Sequence, residues 1–318
     1  MKTNTSFVSQ PIFLVGAERS GTTVLRLMLD HHSQLSWCNE FEYAVDQVTD
    51  DGDCRKLDKY YEWLETHRIF QATDFVVDRS LSYPQLINSF LGQKRDLDGK
   101  LLVGATVHRH FDRIQSIWPD ARFIHIVRDG RDVARSCIGM GWAGNVWTGL
   151  ERWLEAEHLW DRLCQTIAPD RQIEVTYENL ITDPEKSLRQ LCDFIGIAYE
   201  SAMLNYSQAT TYDFPDPSFI GQWKHKLSER EIRLVESRGA QKLVERGYEL
   251  SGLPILKVNS ILMLSLRLQN WWARLRFRIR RNGLFLSILD YLSRHLGLNF
   301  WQKRIQLKIN AIEASDLK

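Results

Sequence analysis

The stretch Val15-Gly-Ala-Glu-Arg-Ser-Gly-Thr-Thr23 constrains this chain more than any other. An apolar run, Pro11-Ile-Phe-Leu-Val15, enters it, and an amphipathic run, Val24 to Leu29, leaves it. The pattern is strand, tight turn, helix. Gly16 and Gly21 let the backbone fold closely around a ligand. Ser20, Thr22 and Thr23 fall where the first N–H groups of a helix have no internal partner. Those N–H groups, with the positive end of the helix dipole, form an anion cradle. The loop is therefore read as the binding site of a phosphate-like group.

Gly16 and Gly21 have the spacing of the nucleoside-triphosphate loop G-x-x-x-x-G-K-S/T, but Thr22 stands where that loop has lysine. The missing lysine would serve the β- and γ-phosphates, so a ligand with less charge at that point fits better. Arg19 supplies a cation from inside the loop instead. A second strand-turn-helix pattern runs from Ala121 to Ser136, A-R-F-I-H-I-V-R-D-G-R-D-V-A-R-S. Arg128 ends its strand, where a guanidinium can grip a phosphate through two N–H groups. Ser136, two turns into the following helix, can share that phosphate; the plain alternative is an Arg–Asp salt-bridged turn.

Together these segments resemble the sulfotransferases that use 3′-phosphoadenosine 5′-phosphosulfate (PAPS). Ala17-Glu-Arg-Ser-Gly-Thr-Thr-Val-Leu-Arg26 is similar to the 5′-phosphosulfate loop of the P-R-S-G-T-T branch, with Glu18 in place of the proline. That branch includes tyrosylprotein and many bacterial sulfotransferases. Val127-Arg-Asp-Gly-Arg-Asp132, followed by Ser136, resembles the family's 3′-phosphate site. Ile173-Glu-Val-Thr-Tyr-Glu-Asn-Leu180 resembles its fifth strand, which ends in Y-E-x-L. Ile220-Gly-Gln-Trp-Lys-His-Lys-Leu-Ser228 resembles the late segment that closes over the cofactor. The resemblance spans roughly residues 10–250, with its motifs in order. It implies PAPS as co-substrate without a metal, held by Arg19, Ser20, Gly21, Thr22, Thr23, Arg128, Ser136, Tyr177 and Lys224. Tyr177 reads equally as a ring packed at a strand end, and Trp223 as a packing anchor. Asp216-Pro-Ser218 occupies the place of an Arg-Lys-Gly triplet in the cytosolic branch, which leaves more of the 3′-phosphate to Arg128 and Ser136.

Sulfuryl transfer needs an aligned acceptor, a base for its proton, and cations for the charge on the leaving phosphate. The base belongs at the C-terminal end of a strand. Gln34-Leu-Ser-Trp-Cys38 reads as the second strand, with Asn39-Glu-Phe-Glu42 directly after it. Glu40 lies 21 positions beyond Arg19, matching the catalytic glutamate of the tyrosylprotein branch. Glu40 is the expected general base, with Glu42 second, and Arg19 is the expected catalytic cation. The lysine that the family often has after its third strand is absent, because Ala105 occupies its position. His108, Arg109 and His110 either substitute for it or are ordinary polar residues at a helix start. The expected function is sulfuryl transfer from PAPS to a hydroxyl or amine. The alternative is a non-catalytic nucleotide-binding or membrane-recruited scaffold on the same fold. A nucleotide kinase is third, because of Thr22.

Strands are expected near 11–16, 34–38, 100–104, 122–127 and 172–176, alternating with helices near 21–32, 57–69, 84–94, 107–117, 130–138, 145–167, 184–195 and 228–246. That alternation implies an α/β fold, a P-loop-like parallel sheet of about five strands covered by helices. A polar insertion from the Asp50–Asp53 turn to about residue 95 carries Tyr60, Tyr61 and Trp63, which wall an acceptor pocket or pack on the surface. Trp142 and Trp147 line that pocket or lie in the core. The five cysteines form no C-x-x-C pair, and the nine histidines show no zinc spacing. The N-terminus lacks the layout of a signal peptide and no apolar run approaches a spanning helix, so a cytoplasmic enzyme is expected.

The chain divides at residue 254. Residues 1–254 hold 29 Lys+Arg and 37 Asp+Glu, a balance of −8, whereas residues 255–318 hold 12 and 3, a balance of +9. The first part is read as the α/β domain and the second as a basic helical appendage, with helices near 255–281, 284–296 and 299–313. No RNA-binding signature is present, so nucleic acid is not an expected partner. Ile261, Leu264, Leu268, Trp271, Trp272, Leu275 and Ile279 make one helical stripe edged by arginines. A second stripe runs through Phe285, Ile288, Leu289, Leu292 and Leu296. Leu262, Leu266 and Phe277 fall off the first stripe. The tail either packs on the domain or a second copy of the chain, or lies on the inner membrane surface. The acceptor is left open among small molecules, carbohydrates, lipids and peptides.

Overall fold

The computed structural model describes residues 7–49, 56–210, 214, 216–295 and 299–314. The turn expected at 50–53, Cys54 and Leu296 lie outside them. Strands β1 (Ile12–Val15), β2 (Leu35–Glu40), β3 (Leu102–Val107), β4 (Arg122–Val127) and β5 (Gln172–Thr176) form one sheet in the order β2-β3-β1-β4-β5. Every neighbouring pair is parallel. The main helices are α1 (Thr22–Asp30), α2 (Leu57–Leu64), α3 (Tyr83–Asp98), α4 (Gly130–Gly139), α5 (Glu151–Cys164), α6 (Tyr177–Thr182), α7 (Pro184–Ile195) and α8 (Glu229–Glu245). The tail adds α9 (Ser260–Asn282), α10 (Leu284–His295) and α11 (Asn299–Ala314).

The sheet is covered on both faces, which is why β1 reads as an unbroken apolar run rather than an alternating one. Phe13 and Val15 point into a cluster with Val107, Phe123 and Trp118. Ile12 and Leu14 point to the other side, among Ile124, Ile126, Leu25 and Met28. A third cluster joins α4, α5 and α8 through Val133, Trp153 and Val235. β1 pairs with β3 on one side and β4 on the other, so the strand order reverses across it. The crevice at the C-terminal ends of the strands beside such a reversal is where open α/β sheets bind ligands. The loop at 16–21 lies there.

Several elements depart from the sequence reading, three of them in and around the sheet. The helix expected at 107–117 is a 3-10 segment, Phe111–Ser116, entered through His110 at φ 53°. Phe111 and Ile114 are both fully buried there, and the 3-10 spacing places residues three apart on the same side. The helix expected at 145–167 is divided at Leu150 into Val146–Gly149 and α5. β2 runs two residues beyond Cys38 to Glu40, with a register shift between Cys38 and Glu40 against β3.

The tail is docked on the domain. Asn145 Nδ2 donates to the Leu266 carbonyl at 2.8 Å, and Gly144 N–H donates to Asn270 Oδ1 at 2.8 Å. α11 reaches the insertion, where Asn310 Nδ2 donates to the Thr66 carbonyl at 3.0 Å and Lys303 pairs with Glu65. The first tail helix starts at Ser260 rather than 255, capped by Asn259, whose Oδ1 accepts from Leu262 N–H at 2.9 Å.

Gly104 in β3 admits the indole of Trp37, which donates from Nε1 to Thr106 Oγ1 at 3.0 Å. A Cβ at Gly104 would stand 2.3 Å from that ring. Gly104→Ala is expected to lower stability by about 1–3 kcal/mol through overpacking, read as a lower urea midpoint with an unchanged slope.

Candidate active site

The 16–21 loop is held in conformations that L-residues rarely adopt. Gly16 has φ 143°, Gly21 φ 95° and Arg19 φ 73°. A left-handed arginine is uncommon, and such strain concentrates at functional loops. A Cβ on Gly21 would meet the Tyr177 ring at 2.3 Å, so glycine there is required by both φ and space. Gly21 caps α1 with no side-chain hydrogen bond, which leaves the first N–H groups of the helix facing the crevice. Ser20 is fully buried, and its Oγ has no hydrogen-bond partner among the described residues. A buried hydroxyl of that kind is expected to be satisfied by something the loop binds.

Arg128 frames the cradle. Its Nη1 donates to the Arg19 carbonyl at 3.1 Å and its Nη2 to the Phe219 carbonyl at 2.6 Å. Its guanidinium lies 4.2 Å from the Tyr177 ring centroid, and its buried Nε has no partner among the described residues. Arg19 Nε donates to Ser136 Oγ at 2.9 Å. Arg19, Ser20, Gly21, Arg128, Ser136 and Tyr177 are thus brought together. Thr22 and Thr23 open α1 beside them. Tyr177 is a buried ring packed just after β5 and against the loop at Gly21. Lys224 is exposed, its ammonium 5.7 Å from the Trp223 ring centroid and without a side-chain hydrogen bond among the described residues.

The R-D-G-R-D motif does more than the sequence reading gave it. Arg131 is buried, with Nε and Nη2 donating to the two oxygens of Asp129 at 2.9 and 2.7 Å, and Nη1 donating to Glu236 at 2.7 Å. Its guanidinium lies 3.6 Å from the Trp223 ring centroid. Asp132 Oδ1 accepts the Trp223 N–H at 2.7 Å. These bonds clamp the 217–226 segment onto α4. Trp142 and Trp147 pack on the third core cluster rather than in a pocket with Glu40.

On the acid side, a cleft of about 920 Å³ is lined by Glu40, Glu42, Trp63, Arg109, Lys303 and others. Glu40 is partly exposed and also lines a second cavity of about 1020 Å³ with Trp37 and Asn39. Tyr60 is core, donating to the Tyr43 carbonyl at 2.9 Å, and Trp63 is the insertion aromatic that walls the cleft. Glu42 is buried, and its Oε1 accepts the His108 N–H at 3.0 Å. Burial pushes its carboxyl up to about 7, the charge of Glu40 adds to this, and His108 and Arg109 oppose it. His108 is buried with Nδ1 3.1 Å from the Gly16 carbonyl, so Nδ1 must carry the proton of that bond. Ala105 is fully buried in register with Phe13 and Cys38, so nothing at that position reaches the crevice. Of the three polar residues after β3, His108 contacts the loop, and Arg109 is held by Asp46 at 2.6 and 2.8 Å.

Residues 11–201 match the profile of the sulfotransferase family, more than half of the chain. The chain belongs to the sulfotransferase family. Among curated proteins it is 28% identical over 207 residues to protein-tyrosine sulfotransferase 1 of Danio rerio, covering 62% of this chain and 56% of that protein. It is 25% identical over 223 residues to protein-tyrosine sulfotransferase A of Caenorhabditis elegans, covering 62% and 52%. The chain thus spans about half the length of these relatives. Its fold is that of the sulfotransferase domain from the curacin biosynthetic pathway, with TM-score 0.52 and 20% identity over 77% of this chain and all of that domain. The sulfotransferase domain of the Synechococcus PCC 7002 olefin synthase is similar at TM-score 0.51 and 19% identity, covering 78% of this chain and 98% of that one. In this sulfotransferase family member, the matched segment contains the anion cradle, Arg128, Ser136, Tyr177 and both glutamates.

Glu42 gives the site a pH signature. A carboxyl whose pKa is higher folded than unfolded binds its proton more tightly in the native state. Its contribution is complete below about pH 4.5 and is lost as pH rises to about 7. Glu42→Gln, which keeps an acceptor for His108 N–H, is expected to be more stable than the parent near neutral pH and equal to it in acid. The difference is at most about 3 kcal/mol, read as urea midpoints at a series of pH values.

Proposed function

We propose that this chain transfers a sulfuryl group from PAPS to a hydroxyl or amine acceptor. The buried, unpartnered Ser20 Oγ at an uncapped helix start, framed by Arg19 and Arg128, carries the reading. Such a cradle suits a phosphosulfate, and the absence of lysine at Thr22 disfavours a triphosphate. When bound, PAPS supplies the activated sulfuryl group. Backbone N–H groups of α1, Ser20, Thr22 and Thr23 hold the 5′ end. Arg128 and Ser136 serve the 3′-phosphate, with Tyr177 against the nucleotide. Arg19 offsets charge on the leaving phosphate. Lys224, on the clamped late segment, is proposed as a further cation for the phosphates. The reaction is proposed to need no metal.

Glu40 is proposed as the general base. It stands at the end of β2, at the mouth of a cleft large enough for a drug-sized acceptor. Glu42 is buried behind it and ties the acid loop to His108 and so to Gly16. The cleft is polar and charged, with Trp63 and Ile69 as apolar walls, which suits a hydroxyl on a partly apolar carrier. Peptide tyrosine, the acceptor in the names of the curated relatives, is one such carrier. The non-catalytic scaffold reading draws on Ala105, which leaves the family lysine without a replacement at its own position.

The test is transfer of radiolabelled sulfate from PAPS to an acceptor extract. Glu40→Gln is expected to lose roughly 10²-fold or more in rate while adenosine 3′,5′-bisphosphate still raises its Tm. An unchanged rate would move the base to Glu42 or His108. Bisphosphate binding without transfer to any acceptor would favour the scaffold.

A further inference from the structure

α9 carries two apolar faces, and the structure uses one of them. Leu266 is buried, Leu262 is packed against the third core cluster, and Phe277 lies where a Cβ on Gly141 would stand. These off-stripe residues are the docked face. The opposite face is left in solvent, with Ile261 80%, Leu264 58%, Leu268 52%, Trp271 56% and Trp272 59% exposed. α10 is inverted: Ser287, Asp290 and Ser293 are buried, while Leu284, Phe285, Ile288 and Leu292 are exposed. Isolated exposed apolar residues need no explanation, but a contiguous patch of this kind marks an interaction surface. No helix among the described residues is long and apolar enough to cross a membrane.

We propose that the outward faces of α9 and α10 seat this protein on an anionic lipid bilayer. Charge selects the occupant. Arg267, Arg274 and Arg278 edge the α9 stripe on one side, Arg276 and Arg280 edge it on the other, and all five are exposed. Residues 260–282 contain no acidic residue. Two-fold pairing of this face with a second copy would set arginine against arginine. An anionic headgroup layer neutralises both edges while the Trp-bearing stripe enters the acyl boundary. Indole rings are suited to that depth, because one end is apolar and the N–H can remain wet. The same tail walls the Glu40 cleft through Gln302, Lys303 and Gln306 of α11, so that cleft belongs to the membrane-bound unit. The inference rests on the tail's own faces and does not depend on the sulfuryl-transfer reading.

The experiment is co-sedimentation of the full chain with vesicles of equal parts phosphatidylglycerol and phosphatidylcholine, with pure phosphatidylcholine as control. The chain is expected to bind the anionic vesicles at low salt, to release as salt rises, and to bind the neutral vesicles weakly. Trp271→Ser with Trp272→Ser, and separately Arg274→Gln with Arg278→Gln, are each expected to weaken binding by about tenfold or more. All four side chains are exposed, so circular dichroism should match the parent. Failure to bind anionic vesicles, or binding unchanged in both double variants, would overturn the proposal. A dimer in light scattering that dissociates in the Trp271→Ser, Trp272→Ser variant would overturn it in favour of self-association.

Discussion

The guanidinium of Arg128 is the contact on which the rest of the site depends. One nitrogen holds the carbonyl of Arg19 and another holds the carbonyl of Phe219, while the ring of Tyr177 lies beneath. Three segments far apart in sequence, the first loop, the end of β5 and the late segment, therefore meet on one planar cation. The left-handed Arg19 becomes tolerable because its carbonyl has a charged donor to satisfy it. Burying a guanidinium is costly unless its donors are used, and Asp132, 3.9 Å away, offsets part of its charge. Arg131, one turn of chain further, performs a separate structural task with Asp129, Glu236 and Trp223. The two arginines of the motif thus divide the work between framing the loop and clamping the late segment.

The acid side is built by a different device. The register shift at the end of β2 lets the strand continue to Glu40 while the next residues turn inward. Phe41 donates to the Thr106 carbonyl at 2.8 Å, and Glu42 then accepts from His108, which touches the Gly16 carbonyl. A carboxyl buried in this way resists ionisation and holds its proton up to about pH 7, whereas Glu40 lies at the surface of the cleft. The two glutamates are close in sequence and differ in environment, Glu40 facing the cleft and Glu42 buried behind the strand end. The cleft between them and α11 is walled by both the α/β part of the chain and the tail.

The parts of the fold with strong local signals were legible in the sequence. Ile12–Val15, flanked by the glycine loop and the α1 pattern, could be little else than a buried strand. Motif spacing singles out Arg19, Ser20, Gly21, Arg128, Ser136 and Tyr177 in the turns and helices that follow β1, β4 and β5, and the structure brings them together. What was not legible depends on long-range packing. Nothing near His108 signals that its ring meets Gly16, and nothing near Phe219 signals that its carbonyl receives Arg128. The 3-10 form of Phe111–Ser116 was missed because apolar residues three apart fit either helix type. In α9 the sequence shows two apolar faces, and only docking at Asn145 and Gly144 decides which one is outward.

The central claim is that the cradle between Gly16 and α1 holds the phosphates of a 3′-phosphorylated adenosine nucleotide. The most direct measurement is thermal unfolding of the full chain with adenosine 3′,5′-bisphosphate, compared with ATP and magnesium at the same concentration. At a hundred times its Kd the bisphosphate should add about 2.7 kcal/mol of stability, with a clear rise in Tm, and ATP with magnesium should give much less. Equal stabilisation by ATP that requires magnesium, or no stabilisation by the bisphosphate, would contradict the account.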